Sequence, residues 1–290
     1  SILVEEVARS LVVRDRVDDF QLVAFTAELK RIPVISSVYQ EICKMLAYDP
    51  GVGDYSLADV AELVGQDPGI AARVLKLINS AVFGLPRPVT SILQAVALLG
   101  ARRMATLMMW VSLNDQLRVT GPAGRTVERD WNNARVVAHL SREIAAYEGL
   151  GQDQAEEAYL AGLMHNVGRL VLAANVGDQF ASVDWPETIV DQLNLEQQNI
   201  GVRHSDLGAL LMRFWGLDDS LAEAVGFYAD PSNGAARRFG PLAAVHGAVV
   251  LLGQGGLDWD HRFLESAGLE QRPELWSKLK HVQRLSAVAG

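Results

Sequence analysis

Apolar residues recur every three to four positions along nearly the whole chain, and the alternation expected of strands is almost absent. That period leaves helices as the way to bury the apolar 49% of the 290 residues. Residues 2–13 read as a short helix and 17–29 as a better one, with Val17, Phe20, Val23, Ala24 and Ala27 on one stripe. Pro33 ends it by pushing Ile32 out of the α region. Val38, Ile42, Met45 and Leu46 mark a helix over 36–48, stopped by Asp49-Pro50-Gly51. Ser56 stands as an N-cap before Leu57, Val60, Ala61 and Val64. Asp67-Pro68 opens the next helix, because Pro at the first helical position lacks a donor that would be idle there. Asn79-Ser80 reads as the turn that closes it, and residues 83–88 as a connector. Ser91 caps 92–99, Gly100 breaks that helix, and 102–117 is long and apolar, with Met104, Met108 and Met109 as core filling.

The Gly- and Pro-containing stretch 119–125 is the best linker candidate. Helices are then expected at 130–147, 154–164, 169–174, 187–198, 204–215, 220–228 (capped by Ser220), 241–252 and 274–288. The expected architecture is all-α: a compact multi-helix bundle of two packed helical subdomains, 20–118 and 126–290. Residues 1–19 form an N-terminal segment, and Ser1 in place of an initiator Met leaves room for an upstream domain.

A net charge of −9 argues against a general binder of DNA, RNA or anionic membranes. The lone cysteine, Cys43, excludes an internal disulfide and a cysteine metal cage, which fits a cytoplasmic protein. The apolar run 242–252 is too short to span a bilayer and is broken by His246 and Gly247.

Chemistry-bearing side chains recur at helix ends and on helix faces: Asn133, His165, Asn166, His204 and His246. The centre of interest is Ala161-Gly162-Leu163-Met164-His165-Asn166-Val167-Gly168-Arg169, an apolar helical run delivering a His-Asn pair, a glycine and a base. With Asp at position 166 the pair would read as a metal-binding one. A metal phosphohydrolase needs several imidazoles and a bridging carboxylate, which holds cations close enough to acidify a water. Asn166 is neutral, and its NH2 group repels a cation. His165 and Asn166 could line a ligand or partner pocket, or cap the helix ending there. His204 is a leftover ligand or the opening residue of its helix. Arg169 is a phosphate anchor or, more simply, a surface or ion-paired residue, and His246 a satisfied core histidine.

These residues carry a resemblance that runs from about residue 29 to 253. Its most specific part is Ile32-Pro33, then 67–81 (DPGIAARVLKLINSA), Pro88-Val89-Thr90-Ser91-Ile92 and 95–100 (AVALLG). Residues 161–168 and the segments His204-Ser205-Asp206-Leu207-Gly208 and Phe214-Trp215-Gly216-Leu217 follow in order. The chain resembles the HDOD family, a degenerate branch of the HD-domain metal-phosphohydrolase superfamily, which implies an HD-like second half. Carried over position by position, the resemblance places Asn133 where active relatives have a ligand His. It matches His165 and His204 to ligand histidines, puts Asn166 in place of the bridging Asp, and puts Tyr228-Ala229 in place of a His-His pair. The closing Asp falls near Val249, so no carboxylate of the set survives.

The resemblance therefore implies a bacterial signal-transduction module without catalysis, with no metal and no cofactor. Such a module acts by protein–protein contact with signalling proteins such as receiver or cyclic di-GMP turnover domains, or by sensing a regulatory ligand. Two rivals stay open: a residual metal-dependent phosphodiesterase or nucleotidase with an altered site, and a sensor that binds a cyclic di-GMP-like nucleotide without hydrolysing it. The candidate pocket is Asn133, His165, Asn166, Arg169 and His204.

Overall fold

The computed structural model describes residues 20–35, 37–47, 56–79, 87–253 and 256–279. The helix expected at 2–13, the segment 1–19, most of the connector 83–88 and the end of the last expected helix lie outside the described residues. Within them the chain is helical and no strand occurs. Among the described residues two compact units emerge: those within 33–118 form one, and 20–32 together with those within 119–279 form the other. The helix α1 (Phe20–Glu28) thus groups with the second unit, although its place in the sequence suggests the first. Just beyond α1, the Asn175 amide accepts the N–H groups of Lys30 and Arg31 and donates to the Arg31 carbonyl.

The 33–118 unit contains α2 (Ser37–Ala47), α3 (Leu57–Gly65), α4 (Pro68–Ile78), α5 (Ile92–Leu99) and α6 (Ala101–Gln116). Three starts are written locally. Ser56 accepts from the N–H of Asp59, whose carboxylate returns a bond to the Ser56 N–H, a reciprocal cap. Asp67 and Ser91 cap α4 and α5 by accepting from the N–H groups of Ile70 and Gln94. Between α5 and α6 the chain turns through 119°, and Gly100, at φ 82°, supplies the left-handed residue the corner needs. Helix α6 packs against α2, α4 and α5, and Met104, Met108 and Met109 are fully buried in it. Two amides tie down loop backbone. Asn79 exchanges both bonds with the main chain of Val89 at 2.7 and 2.8 Å, and Gln116 does the same for Val34.

Within the stretch read as a linker the chain becomes helical at Gly121, the start of a long helix, α7 (Gly121–Tyr147). The residues that signal a loop here serve a helix start. Pro122 lies in the first turn, Gly121 takes φ 74°, and a Cβ on Gly124 would sit 2.5 Å from the Val119 carbonyl. Next come α8 (Gln152–Met164), α9 (Val167–Asn175), α10 (Gly177–Ser182), α11 (Ile189–Asn199), α12 (His204–Phe214) and α13 (Asp219–Phe227). A 3-10 turn (Pro231–Asn233), α14 (Pro241–Leu251), α15 (His261–Ala267) and α16 (Arg272–Trp276) complete the described chain. Ser220 does not cap α13, which begins at Asp219; its hydroxyl donates to Glu157 of α8 instead.

Helix α14 is apolar on every side, so its place is the interior: residues 242 to 249 are all buried, against α7, α8 and α13. Glycines let the neighbouring helices close in. A Cβ on Gly162 would lie 2.8 Å from the Ala138 Cα of α7. At the crossing of α9 and α12 a Cβ on Gly168 would lie 1.9 Å from the His204 carbonyl oxygen and 2.8 Å from the Gly208 nitrogen. Backbone cannot retreat from such an overlap as a flexible side chain can. Replacing Gly168 by Ala is therefore expected to cost about 3 kcal/mol despite alanine's better helix propensity. Urea unfolding of the variant checks it, with Gly177→Ala, where a Cβ meets nothing within 4 Å, as the control.

Candidate functional site

The Gly168 approach sets the backbone of α9 against the first residue of α12, and this brings the candidate residues together. Helix α8 ends at Met164, His165 follows as its cap, and Asn166 links it to α9 by accepting from the N–H groups of Arg169 and Leu170. The His165 Nδ1–H donates to the Gly162 carbonyl at 2.7 Å, which leaves the lone pair on Nε2. The ring is buried, 1% exposed, and burial lowers its pKa to about 4; the Gly162 bond works against that shift and His204 with it.

Arg169 occupies the middle. Its Nε donates to Asp130 of α7 at 2.9 Å and its Nη1 to Glu196 of α11 at 2.9 Å. Phe180 and Trp185 lie against the guanidinium, the Trp185 ring at 4.2 Å and the Phe180 ring at 5.1 Å. Glu196 is fully buried and does three tasks. It receives Arg169, it accepts the main-chain N–H of His204 at 2.8 Å, and it faces His204 Nδ1 at 2.7 and 2.9 Å. The carboxylate thereby caps the N-terminus of α12, where the helix dipole favours negative charge. His204 Nδ1 must donate, since a carboxylate offers acceptors alone. His204 Nε2 meets the Tyr228 hydroxyl at 2.8 Å, and that hydroxyl lies 3.5 Å from Asn166 Oδ1. The Tyr228 ring stands edge-on to His165, with centroids 5.1 Å apart.

The two carboxyls are shifted in opposite directions. Burial pushes Glu196 up, but His204 and Arg169 outweigh it and hold the group below the usual carboxylate range. For Asp130 burial wins over Arg169, and the carboxyl is raised. Burial also pushes the Tyr228 phenol above its ordinary value, so it stays a neutral hydroxyl.

Of the residues singled out from sequence, His165, Asn166, Arg169 and His204 meet around Tyr228 and Glu196. Asn133 stays apart: it is half-buried on α7 one turn beyond Asp130, and none of these hydrogen bonds reaches it. Arg169 is a buried ion-pair residue rather than a surface one, and His204 both opens α12 and bonds through both ring nitrogens. Asp130 and Glu196 bring two carboxyls to this region from positions outside the ligand set carried over by the resemblance. Asp130 had one readable signal, since it stands one turn before Asn133 on the same helix; Glu196, on a polar helix, had none.

A divalent cation needs imidazole lone pairs and unneutralised oxygens. Here both His204 nitrogens are engaged, Asp130 and Glu196 already face a cation, and the Asn166 carbonyl faces Tyr228. Among the described residues no three His, Cys, Asp or Glu side chains converge as a cation site. As bonded here, this donor set does not fit a divalent cation.

Replacing Arg169 by Met leaves two buried carboxyls without their cation and is expected to cost about 3–5 kcal/mol, read by urea unfolding at neutral pH. His165 adds a pH dependence. Its folded pKa lies below the unfolded value, so its contribution is whole above about 6.5 and falls as pH drops toward 4, by about 3 kcal/mol in all. Unfolding free energies across that window should fall with pH, and less steeply in His165→Gln.

The comparisons with known proteins agree with this architecture. A curated, uncharacterized protein from Treponema pallidum is 26% identical over 225 residues, a match covering 74% of this chain and 39% of that protein. The chain thus spans about two fifths of that relative's length. A crystal structure of an HDOD domain protein of unknown function from Geobacter sulfurreducens superposes with a TM-score of 0.68 at 24% identity, covering 92% of this chain and 91% of that one. Another, from Marinobacter aquaeolei and provisionally designated a signal transduction protein, gives 0.63 at 20% identity, covering all of this chain (100%) and 65% of that one. The HDOD domain profile matches residues 32–231, more than half of the chain, and the chain belongs to the HDOD domain family.

Proposed function

We propose that this chain is a non-catalytic signalling module that works by contact with another protein. The observation that carries the reading is the mutual satisfaction of Arg169, Asp130, Glu196, His204 and Tyr228. A hydrolase centre keeps at least one open ligand position and a group poised to move a proton. In this network the positive charge is a guanidinium covalently fixed to the chain, and it cannot polarise a bound water as a divalent ion does. The same bonds tie five helices into a rigid body, which suits a platform for docking. The Marinobacter aquaeolei designation supports signal transduction as the setting. The HDOD likeness suggests a receiver or cyclic di-GMP turnover domain as the partner, in a bacterial cytoplasm.

The test has two arms. Protein exposed to manganese, iron and zinc salts and then desalted is expected to hold far less than one metal per chain by elemental analysis. It is expected to leave cyclic dinucleotides and nucleotides intact when the same metals are added. Stoichiometric metal, together with hydrolysis that disappears in His165→Ala, would overturn the reading in favour of a phosphodiesterase.

A further inference from the structure

Tyr228 is held at both ends. Its hydroxyl meets His204, and its main-chain carbonyl, at the end of α13, accepts the Nδ1–H of His246 at 2.9 Å. The other His246 nitrogen accepts the main-chain N–H of Asp260 at 3.1 Å. One ring nitrogen donates and the other accepts, so only the neutral Nδ1–H tautomer makes both bonds at once.

The ring of His246 thus ties the main chain at Asp260, at the start of α15, to α14, while further along Trp276 packs against Gly247. Asp260 caps α15 by accepting from the Phe263 N–H at 3.0 Å, and it takes the Ser232 N–H and hydroxyl at 2.8 and 2.6 Å. Its neighbour Trp259 stands edge-on to His246, with centroids 5.8 Å apart, and lies 5.9 Å from Trp276. Trp276 is fully buried, and its indole N–H donates to Glu148 of α7 at 2.8 Å.

We propose that His246 is an acid-operated catch on the start of α15: a proton added at Nε2 removes the acceptor, sets an N–H against the Asp260 N–H and releases this end of residues 256–279 from α14. The proton comes from solvent, the Asp260 N–H turns to water, and no covalent bond changes. The Tyr228 bond survives, because Nδ1 donates in both states.

The charge acting on the ring is Asp260, which favours the added proton, while burial opposes it and keeps His246 below the ordinary imidazole range. Around it, Asp230 accepts from Asn233, and Glu148 is engaged by Trp276 and by Arg272 of α16. The Tyr228 phenol is raised and stays neutral. The folded-state shift is downward, so the catch is closed at and above the usual histidine pKa and opens as pH falls below it.

Hydrogen exchange of the full chain, followed by mass spectrometry from about pH 7.5 to about pH 5 and corrected for intrinsic rates, tests this. Peptides from 256–279 are expected to open at a lower free energy than α7 and α8 and to lose protection about tenfold per pH unit below the transition, while α7 and α8 follow global stability, which falls with His165. His246→Gln can donate to Tyr228 and accept from Asp260 without titrating, and its segment is expected to stay protected throughout. Asp260→Asn keeps a capping oxygen but removes the charge that favours the proton in the closed state, and is expected to extend the loss of protection to lower pH with its onset unchanged. Equal opening free energies for 256–279 and for α7 and α8 at every pH, or an identical pH response of the segment in wild type and His246→Gln, would overturn the proposal.

Discussion

A guanidinium buried between two carboxyls is the constraint on which the second unit depends. Arg169 and Glu196 are almost wholly out of water, and each would be costly there alone. What makes the arrangement tolerable is that almost every donor is met: Arg169 by Asp130 and Glu196, His204 by Glu196 and Tyr228, and the α12 N-terminus by the same Glu196. These partners come from α7, α9, α11, α12 and the end of α13, so the network holds only when all five are in register. Hydrophobic replacements could match its stability but not its directionality, and directionality is what fixes these helices relative to one another.

Close backbone approach makes the network reachable. At the Gly168 contact, His204 begins α12 against α9, and one residue further along α9 Arg169 turns to the carboxyls. The Gly162 contact does the same for α8 against α7, three residues before His165. Side-chain chemistry here follows from where the chain can afford no side chain at all.

How far the sequence foretells this depends on the range of each interaction. The helices and the caps at Ser56, Asp67 and Ser91 are legible because donor and acceptor lie within three residues of one another. The His165–Asn166 pair and His204 stand out because polar residues interrupt apolar runs. Asp130 and Glu196 are 39 and 27 residues from Arg169, and no periodicity announces a pairing at that distance. The residues 119–125 mislead for another reason: Gly and Pro serve turns and helix starts alike, and the close approach of Gly124 to Val119 is invisible before the fold exists.

The amides of Asn79, Gln116 and Asn175 each read both polar groups of a single loop residue, Val89, Val34 and Arg31. Such a grip needs a donor and an acceptor on one small planar group, which an acid lacks. Spontaneous loss of ammonia from any of the three would turn a carbonyl's donor into a repelling oxygen with scarcely any change in mass or shape. At these three positions the amide is therefore not exchangeable for its acid, although the two side chains have nearly the same size and shape.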